Sequence, residues 1–152
     1  MVSGRDISDR MAQNLRASGF AQDSFKVSEK DTSRLDFKND FTFVFDVQNK
    51  SLDILITPPE GSDEAFKKFL YDLKEPNFYK KRNLKKLRES QNRSRKYLSE
   101  KRFEIEGNTY HFKATLSVPR NELMYLDNLS SGIFNNVIKP MILFHREYKK
   151  DR

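Results

Sequence analysis

Positively charged side chains crowd into one internal segment of this 152-residue chain. Residues 74–102 hold twelve Lys and Arg but only three Asp and Glu, whereas the residues on either side are close to neutral. Cations gathered in this way can neutralise phosphate groups and release the counterions around them, which is the electrostatic basis of nucleic-acid binding. The candidates for phosphate contacts are Lys80, Lys81, Arg82, Lys85, Lys86, Arg88, Arg93, Arg95 and Lys96.

Aromatic and amide side chains are interspersed among these cations. Phe78, Tyr79 and Tyr97 could stack on bases, as aromatic side chains do in single-strand binding sites. Base edges are read by Arg, Asn and Gln side chains. The candidates for base reading by residue type are Gln91, Asn92, Arg93 and Arg95.

The residues that most kinds of catalysis need are missing. The chain has no Cys, which excludes disulfides, thiolate catalysis and cysteine-ligated metal centres. Its five Gly are at least 15 residues apart, so the sequence has no glycine-rich phosphate loop, dinucleotide loop or nucleophile elbow. The two His, His111 and His145, are not spaced as ligands of a metal site. We therefore expect no cofactor and no metal ion, and an enzyme is the least expected class.

One acidic pattern would suit metal-dependent cleavage of nucleic acid. Asp36 and Lys38 lie on the same face of a predicted strand, Asp40 follows two residues later, and Asp23 or Asp31 could contribute from the preceding segment. The pattern resembles the acid-x-Lys arrangement of restriction-type nucleases, in which carboxylates hold Mg²⁺. Such a short pattern is common in a chain that is 34% charged, so a small metal-dependent nuclease is only the third hypothesis.

Two hairpins are predicted from alternating hydrophobicity. Apolar and polar residues alternate over 35–47 and again over 52–56, with turn-forming residues at 48–51 between them. The alternation returns over 103–118, around a second turn at 106–109. Each hairpin is followed by a proline and then by a helical pattern, so the chain reads as two hairpin-helix halves.

Two further helices are predicted from apolar residues at helical spacing. In a helix over 3–19, Ile7, Met11 and Leu15 share one face, and Ser3 and Gly19 are suitable end residues. A second helix begins after the cap residue Ser62 and ends before Pro76.

The basic segment is predicted to be a helix over 77–102 that bridges the two halves. Leu84, Leu87, Gln91 and Leu98 would form one narrow stripe, and cations would cover most of the remaining circumference. Like charges at four-residue spacing repel, so such a helix would gain stability from an anionic partner.

The C-terminal region is predicted to be helical after Pro119. Residues 130–132, Ser-Ser-Gly, are expected to interrupt the helix. Pro140 is expected either to kink the next helix or to start a new one.

These elements predict an α+β fold, with one domain over residues 1–152 in which an antiparallel sheet of two hairpins packs against helices. The predicted function is non-catalytic binding of nucleic acid, DNA or RNA, through the basic helical segment. The alternative is a non-enzymatic interaction or assembly subunit that binds an acidic protein partner. The segment could also lie on an acidic membrane surface, but three Leu and no Trp would make any insertion shallow.

The cellular location is predicted from what the sequence lacks. No stretch is apolar enough to span a membrane, and residues 1–10 are charged where a signal peptide would be apolar. With no Cys as well, we expect a cytoplasmic protein.

Overall fold

An antiparallel sheet covered on one face by helices forms this α+β fold. The computed structural model describes residues 2–28, 30, 33–38, 40–75, 78–81, 84–117 and 125–143. Its elements in chain order are α1 (Gly4–Ala17), β1 (Phe25–Val27), β2 (Arg34–Phe37), β3 (Thr42–Gln48), β4 (Ser51–Thr57), α2 (Asp63–Leu73), α3 (Phe78–Lys81), α4 (Lys85–Arg93), β5 (Leu98–Glu106), β6 (Thr109–Leu116) and α5 (Tyr125–Ile133). Short 3₁₀ turns lie at Gln22–Ser24 and Ser94–Lys96, and a π-helical turn at Phe134–Ile138 continues α5.

The two predicted hairpins form most of the sheet. β3 pairs with β4, β5 pairs with β6, and β4 lies beside β6, so that both hairpins belong to one sheet. The sheet contains two further strands before these hairpins: β2 pairs with β3, and β1 pairs with β2. The strand order is therefore β1-β2-β3-β4-β6-β5 across the described residues, and the predicted α+β fold with an antiparallel sheet is confirmed.

One face of the sheet forms the hydrophobic core. The apolar positions of each alternating run point to the same side, as the period of two predicts. Aromatic rings fill much of this layer; Phe66 of α2 meets Tyr110 of β6 edge-to-face, with ring centroids 4.8 Å apart. The strand residues that are almost completely buried on this face are Leu35, Phe43, Phe45, Leu52, Ile54, Ile56, Leu98, Tyr110, Phe112 and Leu116.

The first helix begins and ends as the sequence predicts. The Asp6 amide donates to Ser3 Oγ (3.2 Å) and the Ser3 amide donates to the Asp6 carboxylate (2.9 Å), which together form a capping box. Gly19 follows the helix with a positive φ of 87°. Ile7 and Leu15 are fully buried, which docks α1 over β1, β2 and β3.

The second helix has the predicted buried stripe but a different start. Phe66, Phe69 and Leu70 are buried. Ser62 does not cap the helix with its side chain, because its hydroxyl donates to the Pro59 carbonyl instead (2.5 Å).

The basic segment is not one helix over 77–102, and this part of the prediction is wrong. α3, α4 and the 3₁₀ turn account for its described residues up to Lys96, but Leu98 begins β5 and pairs with Leu116. Ser94 Oγ donates to the Gln91 carbonyl (2.6 Å) where the helix tightens and ends. Leu98 misled the prediction because it fits both the helical spacing before it and the strand after it.

The predicted interruption at 130–132 is also wrong, since α5 continues through these residues. Gly132 is buried there, and a Cβ at this position would lie 2.7 Å from the Ser94 Cβ. The glycine thus allows α4 and α5 to approach each other closely. Pro140 lies two residues after the end of the π-helical turn and inside the helical residues 139–143, and Pro119 lies outside the described residues.

No helix in the described part of the chain combines the length and the apolar character needed to cross a bilayer.

Gly132→Ala is expected to destabilise the fold by about 1–3 kcal/mol, because the new methyl group must push α4 away from α5. Urea unfolding followed by circular dichroism measures the change. The matched control is Lys139→Ala, an exposed position on the same helical stretch, which should change stability by about 0.5 kcal/mol at most. Equal losses in the two variants would contradict the close approach.

Candidate nucleic-acid interface

The predicted stripe of the basic segment is the face by which α4 docks on the rest of the protein. Leu87 is 4% exposed and Leu84 is half-buried. Gln91 and Ser94 continue the same face one and two turns later; Gln91 donates to the Asn135 carbonyl, and Ser94 Oγ accepts from Asn136. The docking face is therefore apolar at its beginning and polar at its end.

Gln91 is the polar centre of this docking face. Its side-chain amide donates to the Tyr79 hydroxyl (2.8 Å) and to the Asn135 backbone carbonyl (2.9 Å). Both amide protons are therefore used inside the protein. The prediction that Gln91 reads base edges is corrected on this ground.

The π-helical turn explains why the Asn135 carbonyl needs a donor from outside its helix. In a π-helix each amide donates to the carbonyl five residues earlier, as the Lys139 amide does to the Phe134 carbonyl. The next residue is Pro140, whose nitrogen carries no hydrogen, so it cannot serve the Asn135 carbonyl. The Gln91 side chain supplies the missing hydrogen bond and ties α4 to this turn.

Two asparagines of the π-helical turn extend the contact with α4. Asn135 Nδ2 donates to Ser90 Oγ (2.7 Å). Asn136 is buried, and its Nδ2 donates to Ser94 Oγ (3.1 Å) and to the Gly132 carbonyl (2.7 Å). Because each bond needs a defined position of α4, these contacts fix its rotation about its own axis.

The face of α4 that points away from α5 is cationic. The exposed basic residues on α3, α4 and the 3₁₀ turn are Lys81, Lys85, Lys86, Arg88, Arg93, Arg95 and Lys96, and we call them the cationic face. Within the described residues, no carboxylate pairs with the first six. Lys96 Nζ lies 5.6 Å from the ring centroid of Tyr97. Arg82 and the side chain of Lys80 lie outside the described residues.

The three aromatic residues proposed for stacking do not line this face. Phe78 is 5% exposed and Tyr97 is 6% exposed, and both belong to the hydrophobic core. Tyr79 is half-buried against the same core; burial raises the pKa of its phenol, and the hydrogen bond from Gln91 lowers it. These rings cannot stack on a base without leaving the core, so the prediction of a stacking role is corrected.

The structure exposes a different aromatic residue near the start of the basic segment. Tyr71 is 65% exposed on α2, and Lys74 Nζ lies 5.8 Å from its ring centroid. Sequence reasoning missed Tyr71 by looking only inside the basic segment. The signal was available, because Tyr71 falls off the buried stripe of Phe66, Phe69 and Leu70.

Lys101 is a second residue that the sequence did not single out. It is half-buried on β5, and its Nζ lies 3.5 Å from the Gln91 carbonyl at the end of α4. Burial, and then the neighbouring positive charge of Arg95, lower the pKa of the Lys101 ammonium. Its backbone lies next to an irregularity of the β5–β6 pairing between Ser99 and Arg102, which no spacing pattern predicts.

The acidic residues of the sheet form their ion pairs within the sheet. Glu104 accepts hydrogen bonds from Arg102 Nε (2.7 Å) and Lys113 Nζ (2.9 Å), and these bonds lower the pKa of its carboxyl group. His111 Nδ1 lies 2.8 Å from Asp53 Oδ1. All these side chains lie on the face of the sheet opposite the core, so they do not neutralise α4.

The residues of the nuclease hypothesis partly come together. Asp23, Asp36 and Lys38 line one surface pocket of about 400 Å³. Asp36 Oδ1 already accepts from Arg34 Nε (2.9 Å) and Thr42 Oγ1 (3.0 Å). No group of three His, Asp or Glu side chains suited to hold a metal ion occurs in the described residues; Asp31 and His145 lie outside them.

Comparison with family models, with curated proteins and with solved structures finds no match to this chain. Function is therefore inferred from the charge and the geometry of the chain's own residues.

Gln91→Leu is expected to lower the free energy of unfolding by about 1–3 kcal/mol, because the Asn135 carbonyl and the Tyr79 hydroxyl both lose their donor. Chemical denaturation measures the loss. The control is Asn92→Leu, the next residue on the exposed side of the same helix, which should cost far less. If both variants are equally stable, Gln91 does not hold α4 in place.

Proposed function

We propose that this protein binds nucleic acid through the cationic face. The observation that carries the proposal is the set of six exposed Lys and Arg that have no carboxylate partner within the described residues. Cations without partners in the fold can give their full charge to phosphate groups, and the counterions released from the nucleic acid drive the association. On a surface of mixed charge, ion pairs within the protein would weaken the attraction of the cations to phosphate.

Two features favour nucleic acid over an acidic protein as the partner. Protein interfaces depend on a few buried aromatic or aliphatic anchors. Tyr71 is the only large hydrophobic residue that is exposed among the described residues, and it lies on α2 and not on α4. The nine residues of α4 also extend over about 13 Å, so cations at its two ends can contact different phosphates of one strand.

Replacement of Lys85 and Arg88 by Glu is expected to weaken binding to DNA and RNA oligonucleotides at least tenfold. Four to six phosphate contacts in the unmodified protein give a log–log salt slope of about 3.5 to 5.5 on duplex DNA, and two lost contacts lower it by about 2. The measurement is fluorescence anisotropy from low to moderate salt. Mg²⁺ is included in one series, and cleavage there would revive the nuclease hypothesis.

The control for this pair is Lys26→Glu with Lys50→Glu, which makes the same change in net charge at two exposed positions, one on β1 and one in the turn between β3 and β4. An equal loss in both pairs would mean that net charge alone attracts the oligonucleotide, and it would contradict the proposed face. Binding to poly-glutamate in the absence of any oligonucleotide binding would favour the acidic protein partner.

Glu89→Gln is expected to strengthen oligonucleotide binding by about two- to fivefold at low salt. Glu89 is exposed on α4, one turn from Lys85 and from Arg93, so its carboxylate repels any phosphate held there. A gain of affinity is informative because a damaged protein cannot produce it. The same anisotropy titration measures it, with Glu60→Gln, an exposed residue far along the chain, as the control. An unchanged affinity in Glu89→Gln would place the nucleic acid elsewhere.

A further inference from the structure

A cleft of about 260 Å³ lies between the end of α4 and α5, on one flank of the cationic face. Its lining residues are Ser90, Arg93, Ser94, Tyr97, Asn128, Ser131 and Gly132. Arg93 is the only charged side chain among them. A polar cleft whose described lining residues carry one positive charge and no carboxylate is suited to an anion.

The hydroxyl groups in this cleft have protons to give. Ser90 Oγ accepts a hydrogen bond from Asn135 Nδ2 (2.7 Å), and Ser131 Oγ accepts a longer one from the same amide (3.4 Å). Neither hydroxyl donates to an acceptor within the described residues. Asn135 Nδ2 has two protons and also donates to the Ser131 carbonyl (2.9 Å), so its contact with Ser131 Oγ is the weaker one. A hydroxyl that accepts from an amide keeps its own O–H to donate to a ligand.

Arg93 completes this set of donors. Its guanidinium group is exposed and has no carboxylate partner in the described part of the chain. Ser90 and Arg93 are three residues apart on α4, so they point to the same flank of the helix. Lys86, one turn before Ser90 on this flank, connects the cleft with the remaining cations.

We propose that this cleft holds one phosphate group of the bound nucleic acid, with Arg93 as the charged contact and the hydroxyls of Ser90 and Ser131 as the hydrogen-bond donors. The inference rests on the proposed function and deepens it. The phosphate that enters can be an internal diester or a terminal monoester, since both present oxygen acceptors of the same kind. A phosphate fixed in the cleft positions the strand along α4, which the freely rotating lysines cannot do.

The first experiment uses inorganic phosphate and the unmodified protein. Titration followed by ¹H–¹⁵N NMR should shift the amide signals of residues 90–94 and 128–132 more than those of the rest of α4. The variants are Arg93→Gln and, as its matched control, Lys85→Gln, which removes one positive charge from the first turn of the same helix, two turns before Arg93. Arg93→Gln should abolish the shifts around the cleft, and Lys85→Gln should keep them.

The second experiment uses the paired variant Ser90→Ala with Ser131→Ala, which keeps the net charge. Its affinity for oligonucleotides should fall about tenfold, with little change in the salt slope, because neutral hydrogen bonds and not counterion release are lost. Oligonucleotides with a 5′-phosphate, with a 3′-phosphate and without a terminal phosphate distinguish the two sources. A loss that requires a terminal phosphate identifies the monoester, and an equal loss in all three identifies the diester.

The outcomes separate this inference from the proposed function. If oligonucleotides bind to the cationic face but inorganic phosphate leaves the cleft signals unchanged and the serine variant binds normally, the inference is overturned and the proposed function remains. If inorganic phosphate shifts the cleft signals but no oligonucleotide binds, the proposed function fails, and with it the assignment of the phosphate to nucleic acid. The NMR titration needs no variant, so a poorly folded variant cannot obscure the result.

Discussion

The position of the cationic face depends on one side chain, the amide of Gln91. Pro140 leaves the Asn135 carbonyl without a backbone donor, and the widened turn directs this carbonyl at α4. Gln91 satisfies it and holds the Tyr79 hydroxyl with its second proton. An unsatisfied carbonyl in a protein interface costs more than a hydrogen bond gains, so this contact fixes the rotation of α4. The cations point to solvent because Gln91 points inward.

Polar docking also explains how so cationic a helix can be held in a folded protein. Leu87 is the only buried apolar residue of α4, so hydrophobic burial alone would fix the orientation of the helix weakly. Ser90 and Ser94 add hydrogen bonds to Asn135 and Asn136, and Gly132 lets the two helices approach closely enough to form them. Glu104 of the sheet pairs with Arg102 and Lys113 on the face opposite the core, away from α4. Repulsion among the cations is thus left in place, and an anionic partner would relieve it.

Sequence patterns predicted the parts of the fold in which one physical effect dominates. Strict alternation identified the inward residues of β3, such as Phe43 and Phe45, because a buried face tolerates no change of register. Charge counting identified the cations of α4, which are exposed as expected. The errors fall where two effects compete. Phe78 and Tyr97 were predicted to stack on bases because they lie among cations in the sequence. Both are instead buried in the core, because burying an aromatic ring is more favourable than leaving it exposed to water. Likewise Gly132 was predicted to interrupt its helix, because the sequence does not reveal that another helix packs against this glycine.

The same reasoning connects the docking of α4 with the chemistry of its flank. Asn135 bonds to the Ser90 hydroxyl as an amide donor, so the hydroxyl that helps to dock the helix keeps its own O–H for another acceptor. Arg93 lies one turn further on, on the exposed side of the helix, and has no carboxylate partner in the described residues. Any change that rotates α4 would therefore misplace the cleft and the cationic face together. For this reason a loss of binding in a Gln91 variant would indicate that the orientation of α4 matters. A loss in the paired serine variant would indicate that the serine hydroxyls contact the phosphate directly.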